Sequence, residues 1–151
     1  MAQAAYRVIQ PHVTVGAVGA VFDAAGRLLL VEHVFHPRFP WGFPGGWMGC
    51  REAPHDTVRR EVFEETRLRV EIIKPLIIVP TPMLRNHLDV AFLCELAPGI
   101  NAEDVHLSGE LLDYRWVDPR DLPPLGEFHT RVVEAALAER ALAVATQKIL
   151  T

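Results

Sequence analysis

The chain has 151 residues, half of them hydrophobic, and carries a formal net charge of −4. This length suits a single domain, residues 1–151, and the apolar content is enough for a sizeable core. The acidic balance argues against a nucleic-acid polymer as the main partner, because phosphate backbones are held by clustered Lys and Arg.

The first part of the chain reads as two strands and a loop. Alternating apolar residues predict a strand over Val13–Phe22, and Asp23–Gly26 is a turn. A second strand is predicted over Arg27–Phe35. The segment His36–Gly46 holds three prolines and three glycines, so we expect a loop with at most a short extended piece.

The clearest helix is Pro54–Thr66. Proline is tolerated in the first helical turn, and Asp56 suits the positive end of the helix dipole. Strands follow at Leu68–Pro80, His87–Leu96 and Asp113–Pro119. Interleaved strands and helices, with some strands joined by short turns, predict an α/β protein whose mixed sheet is covered by helices.

A long final helix is predicted from Gly126 to about Leu150. Its apolar face is expected to contain Val132, Val133, Ala136, Leu137, Val144 and Ile149. This apolar helix could also serve a homodimer.

Cysteine usage and the amino-terminal sequence bear on location. The chain has only Cys50 and Cys94, which make no disulfide framework, so a reducing cytoplasm is expected. The start, Met1–Val13, lacks the apolar segment of a secretory signal. No apolar run reaches the roughly 18 residues of a membrane span, so no membrane partner is expected.

Three glutamates, Glu61, Glu64 and Glu65, crowd the end of the predicted helix. At about 100° per residue they share one stripe about 100° wide, beside Val58 and Val62. The stripe therefore borders the face that packs on the sheet, where repulsion between like charges costs more than in open water.

Two interpretations of this cluster stay open from the helix alone. A divalent cation would offset the repulsion, and oxygen ligands without nearby Cys or paired His favour Mg²⁺ or Mn²⁺ over zinc. Alternatively, the cluster is a solvated face neutralised by neighbouring arginines. Arg60 can pair with Glu64 at i,i+4, but we expect that one arginine cannot serve three carboxylates.

The spacing around the cluster resembles the signature of the Nudix hydrolases. That signature begins with a glycine, then five residues of any type, then a glutamate. After seven more residues of any type come Arg-Glu, an aliphatic residue, any residue, Glu-Glu, any residue, a glycine and an aliphatic residue. The matching positions here are Gly46, Glu52, Arg60, Glu61, Val62, Glu64, Glu65 and Leu68. Arg67 stands where the family has a glycine helix terminator. We expect it to adopt the same left-handed conformation, with extension of the helix by one residue as the alternative.

The resemblance covers residues 13–125. Trp41–Gly46 looks like the family's approach to its signature, His87–Leu96 like a following strand, and Gly109–Leu125 like the acidic loop and last strand. It implies a Nudix-type α/β/α sandwich with a mixed β-sheet.

The resemblance also implies an activity. The family hydrolyses a diphosphate linkage, usually in a nucleoside diphosphate joined to another group, so the chain is expected to be a Mg²⁺- or Mn²⁺-dependent pyrophosphohydrolase acting on a small nucleotide-diphosphate substrate. The alternative is a Nudix-like domain that senses a nucleotide without turnover.

Site residues are carried over by position. Glu61, Glu64 and Glu65 are expected metal ligands, with one of them a candidate base. Arg60 is expected to orient a glutamate, and the backbone of Gly46, together with that of its neighbour Gly45, to approach the metal.

Further candidates lie outside the helix. Glu110 occupies the loop where the family often places another acid, expected as a ligand or base, with Glu103 and Asp104 as rivals. Glu52 is a weaker candidate that would act through a water or another ligand.

Aromatic residues flank the glycines. Trp41, Phe43 and Trp47 could stack a base, with core or loop packing as the alternative. Three other side chains could contact phosphate or ribose, with simple solvent exposure as the alternative: Arg38, Arg85 and His87.

Overall fold

A computed structural model describes residues 12–36, 38–82 and 84–150. Most of the amino-terminal segment considered above lies outside these residues. In chain order the elements are β1 Thr14–Phe22, β2 Leu28–His33, β3 Trp41–Gly42, β4 Gly45–Trp47, α1 Pro54–Thr66, β5 Val70–Pro80, β6 His87–Leu96, β7 Leu111–Val117 and α2 Glu127–Leu150.

The seven strands form one mixed sheet. Its main path is β3-β2-β1-β6-β5, while β4 also pairs with β1 and β7 with β2. Strands β1 and β6 are parallel, and the other pairings are antiparallel. The predicted mixed sheet is therefore present.

Helix α1 covers one face of the sheet. Successive strand residues point to opposite faces, and Ala17 and Val21 of β1 pack with Val58 and Val62 of α1. A β-carbon on Gly19 would lie 2.8 Å from a Val58 methyl carbon, so the missing side chain lets the helix approach β1 closely. This packing fixes the height of the glutamate stripe above the sheet.

Helix α2 covers the opposite face. Ala20 and Phe22 of β1 pack there with Val132, Val133 and Ala136. The two helices thus enclose the sheet in three layers. Two ion pairs tie the middle of α2 to the sheet: Lys74–Glu139 at 2.7 Å and Arg140–Glu95 at 3.2 Å.

The second half of α2 departs from the prediction. Leu137, Val144 and Ile149 were expected on a packed apolar face, but they are 38%, 55% and 83% exposed. For Val144 and Ile149 the reason is length: a helix of 24 residues spans about 36 Å, more than the roughly 30 Å that a nine-residue strand such as β1 covers. Leu137 lies in the first half of α2, about 100° around the helix from buried Ala136, at the border of the packed face. Neither helix among the described residues combines the length and apolar character needed to cross a bilayer.

The glycine-rich segment is more ordered than expected. Instead of a loop with at most one extended piece, it contains β3 and most of β4. Strand β4 lies so close to β1 that a side chain on Gly45 would collide with the Ala17 carbonyl oxygen. Glycine therefore allows this strand pairing, and the pairing holds the glycines beside α1.

Candidate active site

The carboxyl-terminal turns of α1 carry the glutamate cluster. The helix begins with Pro54 at its first position and ends at Arg67, whose φ of 63° and ψ of 4° are left-handed. The Arg67 N–H donates to the Phe63 carbonyl oxygen at 2.9 Å. The expected conformation of Arg67 is confirmed, and the helix stops directly after the acids.

Arg60 is the centre of the charged network. Its Nε and Nη2 donate to the two Glu52 oxygens at 2.8 and 3.0 Å. Its Nη1 donates to Glu61 at 2.6 Å and to Glu64 at 3.2 Å. The expectation that one arginine cannot serve all three glutamates of the cluster is confirmed, because Arg60 contacts Glu61 and Glu64 but not Glu65, and its remaining partner is Glu52.

Glu52 positions Arg60 from the loop before the helix. Its Oε2 also accepts hydrogen bonds from the Gly49 N–H at 2.9 Å and the Thr57 hydroxyl at 2.8 Å. Hydrogen bonding to Arg60 is the main cause that lowers the pKa of Glu52 to about 2, with these two donors adding to it. Sequence reasoning undervalued this residue, because a contact across the loop follows no helical periodicity.

Glu65 is the buried member of the cluster, with 6% of its surface exposed. The Gly45 N–H donates to its Oε2 at 3.0 Å. Burial is the largest cause that raises the pKa of Glu65 to about 8, and repulsion from Glu61, Glu110 and Glu64 adds to it. The carboxylate that Arg60 does not contact is therefore the one whose charge is least tolerated.

Gly46 packs directly on Glu61. A β-carbon on Gly46 would lie 2.5 Å from the Glu61 carboxyl carbon, so only glycine leaves room for this carboxylate. The Glu61 side chain is 16% exposed. Burial raises its pKa, partly offset by Arg60, while Glu64 and Glu110 raise it further.

Glu110 lies near the cluster, on the loop before β7. Two backbone bonds attach this loop to the end of α1: the Ser108 N–H donates to the Glu65 carbonyl and the His106 N–H to the Thr66 carbonyl, both at 2.9 Å. The rival Glu103 instead pairs with Arg27, at 3.1 Å.

The carboxylates of the cluster are the candidate ligands for a cation. No three His, Cys, Asp or Glu side chains in the described parts of the chain converge closely enough to hold a metal as they stand. The chemistry of the donors nevertheless fits a hard divalent ion, because they are all carboxylates, with no thiol among them, and repulsion from Glu64 and Glu110 helps to raise the pKa values of Glu61 and Glu65. The space left by Gly46 beside Glu61 is consistent with the same fit.

A second polar group lies beside Trp47, and sequence reasoning named only one of its members, His87. The Trp47 ring packs on His87, with centroids 4.7 Å apart. His87 was expected to be solvent-exposed by default, yet it is 6% exposed. Its Nε2 lies 3.3 Å from an Asp89 oxygen. The spacing of two residues in a strand, which places both side chains on one face, could have revealed this pair.

Known proteins resemble the chain in sequence and fold. The family model for the NUDIX domain matches residues 10–136. The human protein named nucleoside diphosphate-linked moiety X motif 6 is 36% identical over 115 residues, covering 72% of this chain and 35% of that protein. A MutT-like protein of Streptomyces ambofaciens is 30% identical over 112 residues, covering 74% of this chain and 68% of that protein. This chain therefore spans little more than a third of the human relative's length.

Solved structures support the architecture. A structure described as an ADP-ribose pyrophosphatase from Streptococcus suis aligns with a TM-score of 0.64 at 25% identity, covering 83% of this chain and 92% of that one. The agreement over most of both chains confirms the predicted sandwich of two helices around a mixed sheet.

Proposed function

The chain belongs to the Nudix family, and from this premise we propose that it is a divalent-metal-dependent hydrolase of a nucleoside diphosphate linked to another group. Mg²⁺ is the proposed metal, with Mn²⁺ as a substitute, since the donors are carboxylates. Glu61, Glu64 and Glu65 are the proposed ligands, together with the Gly46 backbone.

The observation that carries this proposal is the buried Glu65 carboxylate beside Glu61. A carboxylate whose pKa is raised to about 8 makes the folded state less stable when it is charged. An arrangement of this kind therefore indicates a functional site. Gly45 and Gly46 add to the argument, because each makes room for backbone or carboxylate at the same place.

The roles of the side chains follow from their contacts. Arg60 holds Glu61 and Glu64 in place, and Glu52 holds Arg60. The Gly45 N–H orients Glu65. A bound divalent ion would screen the diphosphate and lower the pKa of a water molecule.

The proposed reaction is the addition of water across a phosphoanhydride. A water oxygen forms a bond to one phosphorus, the bridging P–O bond breaks, and the other phosphate leaves with the bridging oxygen. The water proton passes to a carboxylate, for which Glu61 and Glu110 are the candidates because both lie in the cluster. Two phosphate monoesters are the products when both ends are esterified.

ADP-ribose is the first substrate to test. One structural relative is described as an ADP-ribose pyrophosphatase, and a human relative's name refers to nucleoside diphosphate-linked moieties. A panel should also contain nucleoside triphosphates, dinucleoside polyphosphates, nucleotide sugars and capped RNA ends, with the phosphate monoesters and pyrophosphate that are formed separated and measured in Mg²⁺ and in EDTA.

Substitution of the ligands gives the sharpest test of the proposed function. Glu64→Gln and Glu65→Gln should each cut turnover at least about a hundredfold, because each removes a charge that stabilises the transition state through the metal. Glu71→Gln, at an exposed position of β5, is the matched control and should keep full activity. Near-wild-type rates for both ligand variants at saturating Mg²⁺ contradict the assignment. Nucleotide binding without turnover in the wild type would favour the sensor function.

Two broader expectations belong to the same proposal. A cytoplasmic location is supported by Cys50 and Cys94, which are free cysteines. A homodimer is supported by the exposed apolar residues Leu142, Val144 and Ile149 on the second half of α2. Light scattering of the purified protein measures the molar mass that decides the second point.

A further inference from the structure

We propose that the Trp47 indole is a fixed platform on which the base of the nucleotide stacks. This inference rests on the proposed function, since it names the part of the substrate that a second subsite recognises. It concerns a residue immediately after Gly46, whose backbone contacts the Glu61 carboxylate. Gly46 pairs with Ala17 and Trp47 with Gly16, so Gly46 faces the glutamates on the α1 side of the sheet and the indole lies on the α2 side. A nucleotide stacked on the indole would reach the glutamates around the outer edge of the short strand β4.

Exposure separates Trp47 from the other aromatic residues around the glycines. Trp41 and Phe43 are 8% and 1% exposed and belong to the core, so they have a packing role. Trp47 is 58% exposed. Scattered exposed apolar residues are common on proteins, and exposure alone would carry no inference.

Contacts on two sides hold Trp47 in place. Its carbonyl oxygen accepts a hydrogen bond from Arg60 Nη2 at 3.1 Å, which joins the residue to the charged network. Its ring packs on His87 at 4.7 Å with the planes inclined by 52°. In strand β4 it also pairs with Gly16 of β1. The indole is exposed but anchored at both its backbone and its ring.

The residue beneath the indole is itself fixed. The Thr14 hydroxyl lies 2.7 Å from His87 Nδ1, and Asp89 lies 3.3 Å from the other ring nitrogen. Asp89 in turn accepts a hydrogen bond from the Thr81 hydroxyl. A β-carbon on Gly16 would lie 3.0 Å from His87 Nε2, so glycine leaves space for this chain of contacts.

This arrangement suits a flat aromatic ligand. An aromatic side chain held in position loses little entropy when a base stacks on it. Base stacking needs no particular hydrogen-bond pattern, because every base presents a π-face. The platform is therefore expected to bind the base moiety of the substrate and to leave the choice among bases to other contacts.

Nucleoside monophosphates and ribose 5-phosphate provide a matched pair of probes. They share phosphate and sugar, and only the former carry a base. In Mg²⁺, at least one of AMP, GMP, CMP and UMP should quench tryptophan emission of the wild type, and ribose 5-phosphate should not. Trp47→Phe should remove the quenching, and Trp116→Phe should keep it, because Trp116 lies away from this site with its indole N–H bonded to the Ala102 carbonyl.

Calorimetry then measures the contribution of the platform. Trp47→Ala should weaken binding of the quenching nucleotide by about five- to a hundredfold and change ribose 5-phosphate affinity less than about twofold. Trp47→Phe should retain most of the affinity. Leu142→Ala, which truncates another exposed apolar residue, is the control and should change neither.

Three results overturn the proposal. The first is equal loss of affinity for nucleotide and ribose 5-phosphate in Trp47→Ala, since that indicates a disturbed phosphate site. The second is unchanged nucleotide affinity in Trp47→Ala, and the third is no quenching of the wild type by any of the four nucleotides. These outcomes are independent of hydrolysis. If nucleotide binding depends on Trp47 but the protein shows no turnover, the proposed hydrolase function is contradicted and the stacking role of Trp47 is retained.

Discussion

Arg60 distributes a single positive charge unevenly over the acidic residues. It contacts Glu52, Glu61 and Glu64 and leaves Glu65 to a backbone N–H. Burial and repulsion raise the pKa of Glu65 to about 8. The network thus stabilises the outer carboxylates and keeps one inner carboxylate uncompensated, which is the arrangement that a cation would complete.

Gly46 offers a prediction at the scale of one methyl group. Gly46→Ala should lower turnover by about ten- to a hundredfold, because the new β-carbon must displace the Glu61 carboxylate and misplacement by about 1 Å can cost a hundredfold. Steady-state kinetics with the best substrate of the panel measures the effect.

The control for Gly46→Ala is another glycine. Gly109→Ala should stay within about twofold of the wild type, because nothing lies within 4 Å of its added β-carbon. Equal rates for the two alanine variants would show that the Glu61 carboxylate has no fixed position in catalysis.

Spacing predicted which acidic residues lie together better than it predicted their contacts. The helical stripe placed Glu61, Glu64 and Glu65 together because they belong to one periodic element. The pairing of Glu52 with Arg60 depends on how a loop folds back on that helix, and no local pattern encodes it. The burial of His87 depends in the same way on tertiary packing.

Strands and helices differ in how well their ends could be predicted. Helix α1 ran over the expected residues, since Pro54 and Arg67 terminate it locally. Strand β7 begins at Leu111 rather than Asp113, because pairing with β2 sets its start. The exposed second half of α2 has a composition that suits burial, so its exposure reflects the limited extent of the sheet.

The end of α1 carries a prediction about stability. Arg67→Gly should raise the free energy of unfolding by roughly 0.5–1 kcal/mol, because Arg67 holds a positive φ of 63° that glycine adopts without strain. Denaturant unfolding measures this change. The substitution also removes the contact between the Arg67 guanidinium and the Phe63 ring, 5.2 Å apart, which keeps the gain in stability at this modest size.

Turnover of folded Arg67→Gly should change only a few-fold, since the proposed ligands lie upstream of this residue. Arg67→Ala is the matched variant, because it removes the guanidinium and keeps the strained backbone. It should not gain stability. A large rise in KM for Arg67→Gly with the fold intact would instead show that the guanidinium binds substrate phosphate.

At the scale of the whole molecule, the buried acidic site lowers the stability of the fold. Strands β1 and β4 and helix α1 pack so as to bury Glu65, and the packed layers can form with a protonated carboxyl there at less cost than with a charged one. A cation that binds only the folded state stabilises it by mass action, by about 2.7 kcal/mol at a hundred times its dissociation constant. Stability should therefore depend jointly on pH and metal.

The melting temperature in EDTA should fall as pH rises through about 8. The pKa of Glu65 is raised from its usual 4.5 to about 8, so between these values the folded state holds a proton that the unfolded state has lost, and stability declines with pH. Buried His129 has the opposite effect, because burial lowers its pKa from 6.5 to about 4, but its contribution is complete above about pH 7. Burial also raises the pKa of the Cys94 thiol from 9.0 to about 12, which lowers stability from about pH 8 upward. Calorimetric scans from about pH 7 to 8 therefore report mainly on Glu65.

Glu65→Gln should melt higher than the wild type in EDTA at about pH 8.5 and show no decline over this range, because its amide carries no charge to bury. Excess Mg²⁺ should raise the melting temperature of the wild type and remove most of its decline, while the variant should respond much less. Glu71→Gln, on an exposed stretch of β5, should follow the wild type in every condition. Identical wild-type melting curves in EDTA and Mg²⁺ would mean that the glutamate cluster binds no metal, and a decline that persists in Glu65→Gln would place the titrating group elsewhere.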